Sequence, residues 1–217
     1  MKKEFEKRIL SSFIIIPIAL FFVIKGSTFF TFFLSIFFLA TSYEWFKMTK
    51  KNLIRIFGIL YLSLAFYSAF LLRNEAGLNF FIFIIIICIF TDIGGYIFGK
   101  TFKGPKLIKI SPNKTYSGLI GSFILSVMAA SIFSQYQKSF TFFEIFILNN
   151  NELSYIIIIL FISAVSQIGD LIVSYFKRLA KIKNTGNLLP GHGGLLDRID
   201  GIIFAIPFSF LSFIYLN

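Results

Sequence analysis

Charge is scarce in this chain: of 217 residues only 14% are Asp, Glu, Lys or Arg, and histidine, cysteine and tryptophan occur once each. A single cysteine excludes an intrachain disulfide and gives the thiol no second ligand of its own kind, so Cys88, inside the apolar run FFIFIIIICIF of Phe80–Phe90, reads as a packing residue. No polar region with a small-residue cleavage site follows the basic Met1–Arg8 stretch, which argues for a retained first span over a signal peptide. No Gly/Ser or Pro linker and no internal repeat marks a second domain. What the chain has in excess is apolar surface. With 57% hydrophobic residues, 32 of them Phe, and a mean hydropathy of +0.83, it exceeds what one soluble core of this size can hide, and lipid must be the solvent for most of the surface.

A helix that crosses the hydrocarbon needs about 20 mostly apolar residues, because lipid offers no partner for free backbone groups. This criterion predicts an all-α polytopic transmembrane helix bundle of about seven spans, near 9–25, 28–46, 53–72, 78–99, 117–134, 153–173 and 201–216. The run FTFFEIFIL (Phe140–Leu148) is too short to span and reads as interfacial. Lys and Arg give an independent test, since cytoplasmic loops carry the positive excess. Eighteen of the 21 fall on the N-terminus and the even-to-odd loops, against Lys25, Arg73 and Lys138 on the other side. That places the N-terminus in the cytoplasm. The net charge of +11 is then concentrated on one face, where it attracts anionic head groups and nucleotide phosphates; nucleic acid is not an expected partner.

Ten acidic residues occur: Glu4, Glu6, Glu44, Glu75, Asp92, Glu144, Glu152, Asp170, Asp197 and Asp200. All four aspartates fall at expected cytoplasmic ends of spans, and ionisable groups near membrane depth are costly enough to be functional candidates by default. Carboxylates converging on one face suit a hard divalent cation, and Mg²⁺ uses one or two of them together with substrate phosphates. Asp170, Asp197 and Asp200 fit that pattern, although Arg198 between the last two makes plain ion pairing an equal reading. In SQIGDLIVSYFKR, Asp170, Ser174 and Lys177 recur at helical spacing and share one face. In TDIGGYIFGK, Asp92, Gly95 and Gly99 share a face that allows another helix to approach closely. The segment Ser111–Asn113 of ISPNKTYSG reads as a turn that positions Lys114 for a phosphate. Finally, Gly191, Gly193 and Gly194 surround His192 in LPGHGGLLDRIDG, and such glycines let backbone amides line an anion-binding concavity. A lone histidine is more often structural than catalytic; its neighbours here favour donation to a phosphate.

The run SYFKRx4KNTGx2LPGHGGLLDRID of Ser174–Asp200 resembles the signature of the phosphatidate cytidylyltransferases, and TDIGGY (Thr91–Tyr96), ISPNKTYSG (Ile110–Gly118) and GDL (Gly169–Leu171) resemble other segments of that family. The resemblance covers residues 90 to 201, and divides the chain into N-terminal transmembrane helices (1–89) and a catalytic transmembrane region (90–217). Asn184 stands where the family usually has Asp, and the chain looks short for the family. The resemblance implies that CTP and phosphatidic acid give CDP-diacylglycerol and pyrophosphate at the cytoplasmic face of a bacterial inner membrane, with a homodimer as a compatible assembly. A polyprenol or phytol kinase is the alternative.

Under this resemblance Asp170 and Asp197 hold Mg²⁺, Asp200 is a third ligand or supports them, and a second cation is compatible. Lys114, Lys177, Arg178 and Arg198 hold triphosphate or lipid phosphate, with Ser174 and Lys183 also placed among the substrate-binding groups. His192 and the loop of Gly191, Gly193 and Gly194 cradle the leaving pyrophosphate, and Asp92 supports the site from the fourth span.

Overall fold

The computed structural model describes residues 2–108, 111–136, 152–189, 191 and 193–216. Helices α1 (Lys2–Lys25), α2 (Ser27–Met48), α3 (Asn52–Glu75) and α4 (Gly77–Phe102) follow one another with few intervening residues. A two-stranded ribbon, β1 (Lys106–Ile108) and β2 (Ser111–Thr115), leads into α5 (Tyr116–Tyr136). Then come α6 (Glu152–Leu179), the single turn α7 (Leu196–Ile199) and α8 (Ile202–Leu216).

Each of the seven expected spans is a helix here, and most run beyond the expected limits; α6 continues to Leu179, six residues past the expected end at 173. Five of them, α2 to α6, are long and apolar enough to cross a membrane by length and composition, with shorter apolar stretches in α1 and α8. The protein is an all-α polytopic membrane bundle apart from the small ribbon. Large apolar side chains such as Leu39, Phe57 and Leu211 point outward, roughly two-thirds exposed, as lipid-facing residues of a bundle do. The interfacial run Phe140–Leu148 lies outside the described residues.

One expectation is corrected. Ser111–Asn113 does not form the turn but opens β2, which pairs antiparallel with β1 through Lys106↔Thr115 and Ile108↔Ser111. Pro112 lacks an N–H, and a two-stranded ribbon consists only of edges, so a proline costs it no obligatory ladder bond.

Glycine contacts and buried hydroxyls hold α4, α5 and α6 together. Helices α4 and α5 make the most intimate pair, because a Cβ on Gly94 would sit 2.4 Å from the Gly121 carbonyl oxygen and one on Gly118 would sit 2.7 Å from that of Gly95. Only glycine permits that approach. Buried hydroxyls then tie in the third partner: Ser122 Oγ donates to Thr91 O at 2.7 Å, and Thr91 Oγ1 to Ser163 Oγ at 2.8 Å, joining α5, α4 and α6. Two apolar clusters fill the bundle. One, around Phe30, Leu72, Phe80 and Ile84, contains the buried Cys88; the other, around Trp45, Met48, Val173, Leu196 and Ile203, underlies the loop from 180 to 200.

Candidate functional site

Where α4 ends and α5 begins, the ribbon, α6 and α7 enclose a cavity of about 330 Å³. Its lining includes Asp92, Lys114, Asp170, Lys177, Asp197 and Asp200. Residues from four separate stretches of sequence, 92, 114, 170–177 and 197–200, thus meet at one place.

The helical spacing read from the sequence accounts for one wall. Ser174 Oγ donates to Asp170 Oδ1 at 3.2 Å along α6, and Lys177 lies one turn further on. Lys114, delivered by β2, reaches across to Asp170, its Nζ 2.7 Å from Oδ2 and 3.4 Å from the Gln167 carbonyl oxygen. Lys177 Nζ meets Asp197 Oδ1 at 2.7 Å and stands 4.0 Å from Asp200 Oδ2. Asp197 and Asp200 therefore do share a face, as the one-turn helix α7 requires, and Lys177 is the group they share.

Asp197 is fully committed. Besides Lys177, its Oδ2 accepts N–H bonds from Thr185 at 2.8 Å and Gly194 at 3.2 Å. Asp200 differs: its Oδ1 accepts the Gly201 N–H at 3.0 Å, and its carboxyl group lies beside that of Asp170 in the cavity lining. Burial first, and the adjacent Asp170 charge second, push Asp200 well above the ordinary carboxylate range. The two carboxyl groups share the cavity lining, Asp170 paired with Lys114 and Asp200 4.0 Å from Lys177, and neighbouring carboxylates suit a hard cation. Among the described residues no three Asp, Glu, His or Cys side chains form a ready-made metal group, but Mg²⁺ needs only one or two carboxylates when phosphates complete its shell. Asp170 and Asp200 fit that demand once the part-exposed Lys114 turns from Asp170 to a phosphate; a cation on Asp197 would have to displace the more buried Lys177 and compete with two backbone amides.

Other expected residues stand elsewhere. Arg178, Lys183 and Arg198 are exposed and do not line the cavity. Gly191 and Gly193 adopt φ of 77° and 89°, which favours glycine, but the Gly193 N–H is spent on Leu189 O at 3.2 Å and that of Gly194 on Asp197. Those amides hold the loop in shape. His192 lies outside the described residues. Asn184, in the family's usual Asp position, is exposed and lies against Gly193, outside the cavity.

Two residues escaped the sequence reading. Gln167 lines the cavity one turn before Asp170, and its buried Nε2 has no hydrogen-bond partner, leaving an amide donor for a ligand. Glu44, in α2, is 1% exposed. Its carboxylate accepts from Thr185 Oγ1 at 2.9 Å, Leu195 N at 2.9 Å and Leu196 N at 2.8 Å. An acid within a predicted span was the available signal.

A sequence model of the cytidylyltransferase family matches residues 50–216. The chain belongs to the cytidylyltransferase family. That match takes in every residue lining the cavity and begins after Glu44. The chain is 36% identical over 154 residues to the phosphatidate cytidylyltransferase of Bacillus subtilis, covering 70% of this chain and 54% of that one. It is 31% identical over 219 residues to the phosphatidate cytidylyltransferase of Rickettsia conorii, covering 99% and 94%, and 35% identical over 175 residues to that of Rickettsia bellii, covering 77% and 72%. It thus spans about half the length of the Bacillus relative and nearly all of the R. conorii one.

Proposed function

We propose that this cavity joins CTP to phosphatidic acid, producing CDP-diacylglycerol and pyrophosphate for phospholipid synthesis. The observation that carries the reading is the meeting of Asp92, Lys114, Asp170, Lys177, Asp197 and Asp200 around one cavity at one end of a membrane helix bundle in a cytidylyltransferase family member.

The reaction needs no protein nucleophile. A phosphate oxygen of phosphatidic acid is anionic near neutral pH and attacks the α-phosphorus of CTP. The bond from that phosphorus to the oxygen bridging toward the β-phosphate breaks, and pyrophosphate leaves with the electron pair. What the protein must supply is alignment of two polyanions and relief of their repulsion. Lys114 brings one ammonium group to Asp170 and Lys177 a second to within 4.0 Å of Asp200, and the Gln167 amide adds a neutral donor. In this assignment Asp170 and Asp200 would hold Mg²⁺, with Asp92 lining the same cavity from α4, and Asp197 acts by fixing Lys177. A cation held there would supply positive charge to the reacting phosphates.

The arrangement also suits the two substrates' different phases. Phosphatidic acid stays in the bilayer and CTP is in the cytosol, so the site belongs at the cytoplasmic surface. The Lys and Arg excess on the matching loops supports that placement, and the bacterial relatives support the inner membrane.

Label position in CTP tests the reading. With purified protein, phosphatidic acid and Mg²⁺, label on the α-phosphorus is expected to enter the lipid and label on the γ-phosphorus to appear in pyrophosphate. A lipid that takes up γ-label with release of CDP would mean a kinase and end this proposal.

A further inference from the structure

Glu44 stands outside the cavity, on a helix that contributes no residue to its lining, and yet it grips the segment that leads into Asp197. Its two oxygens receive the Thr185 hydroxyl and the Leu195 and Leu196 amides at 2.8–2.9 Å. Those donors bracket the loop from 185 to 196, at the ends of which Thr185 N and Gly194 N also hold Asp197. One buried carboxylate therefore fixes the two strands of chain that fix Asp197, and Asp197 in turn fixes Lys177 at 2.7 Å.

Two glycines of the loop have their explanation in the same carboxylate. A Cβ on Gly186 would lie 2.6 Å from Glu44 Oε1, and one on Gly194 would lie 2.6 Å from Oε2 and 2.0 Å from Thr185 Oγ1. Their lack of a side chain makes room for the Glu44 head group. The neighbouring residue secures the other partner: the Trp45 ring meets that of Phe176 edge-on at 4.9 Å, next to Lys177, while Trp45 Nε1 donates to Ile54 O at 3.2 Å.

We propose that Glu44 is a positioning residue for the cytidylyl-transfer site: an acceptor on α2 around which the 185–196 loop folds, so that Asp197 presents Lys177 to a substrate phosphate. This rests on the assignment of the cavity as the CTP and phosphatidic acid site. Replacing the carboxylate by an amide of equal size leaves at least one N–H or O–H donor short of an acceptor, in a place from which water is excluded. The loop then samples other arrangements, and Lys177 loses its fixed partner.

The experiment compares the full-length wild type with Glu44→Gln and Thr185→Val in detergent, using hydrogen exchange of peptides within 183–198 and the KM values for CTP and phosphatidic acid. KM is independent of how much of the sample is folded, so a purely structural loss would not move it. Expected are faster exchange confined to that loop and a rise of about tenfold or more in at least one KM, in keeping with the cost of misplacing a reacting group. Thr185→Val removes one of the three donors and should show the same pattern more weakly, which keeps the test available should Glu44→Gln not fold. Unchanged exchange in the loop, or fast exchange with both KM values unaltered, would overturn the proposal. If the wild type shows no CTP-dependent turnover, the functional reading fails; the exchange comparison still decides whether Glu44 orders the loop.

Discussion

Lys177 Nζ and Asp197 Oδ1 are 2.7 Å apart although 20 residues separate them in sequence, and their side chains are only 11% and 9% exposed. The pair closes the loop onto α6 and defines one side of the cavity. Removing one member strands the other in a place poor in water.

Lys177→Met should therefore fail twice. Leaving a buried carboxylate unpaired costs about 3–5 kcal/mol in general, so denaturation in detergent should begin at markedly lower denaturant, and CTP-dependent turnover should vanish. Wild-type stability in this variant would mean that Asp197 is satisfied by Thr185 and Gly194 alone.

Lys114→Ala separates the two effects. Its pair with Asp170 is about a quarter exposed on both sides, so water reaches the stranded carboxylate and the loss is smaller than the cost of about 3–5 kcal/mol for breaking an enclosed pair. Stability should fall less than in Lys177→Met, while the KM for CTP or phosphatidic acid rises. If neither KM moved, the ribbon carrying Lys114 would be a structural element only.

Gly94→Ala tests the helix contact beneath the site. Its methyl would lie 2.4 Å from the backbone oxygen of Gly121, which cannot rotate away as a side chain can. Overpacking of this kind costs about 1–3 kcal/mol. A fall in melting temperature together with reduced turnover is expected, since α4 and α5 both contribute cavity residues; a fully stable and active variant would contradict the close packing.

Asp200 gives a pH signature in the absence of divalent cations. Burial and then the Asp170 charge raise its pKa well above the ordinary carboxylate range, so the folded state binds its proton more tightly than the unfolded chain. The resulting stabilisation is complete at and below the ordinary carboxylate pKa and is lost as pH rises through the folded value. Metal-free protein should accordingly lose stability as pH rises above the ordinary carboxylate range, Mg²⁺ should restore more stability at the higher pH, and Asp200→Asn should flatten the trend. A metal-free stability that increased across that window would contradict the coupling of Asp170 and Asp200.

The sequence was most legible where lipid imposes a single rule. Seven apolar stretches became seven helices because a chain in hydrocarbon must satisfy its backbone internally, and the helical stripe of Asp170, Ser174 and Lys177 put its two charged members on the cavity wall, with Ser174 donating to Asp170 behind them. Less legible was the strand opening at Ser111, where local turn propensity competes with ribbon pairing. The glycines around His192 read as an anion-binding concavity, yet at Gly194 the space is taken by the Glu44 carboxylate of α2, and the Gly193 and Gly194 amides are spent within the loop. Glu44 itself was visible as an acid in a predicted span, yet its partners are loop amides, which carry no sequence signal.

The central claim is that the carboxyl pair Asp170 and Asp200 is where the reacting phosphates are held. Turnover of labelled CTP with phosphatidic acid and Mg²⁺, measured for Asp170→Asn and Asp200→Asn samples whose folding is verified by thermal denaturation in detergent, tests it most directly. The account predicts that each variant loses about 10²–10³-fold or more in turnover, the scale of losing one electrostatic stabiliser of a transition state. Two folded variants turning over CTP at the wild-type rate would contradict it.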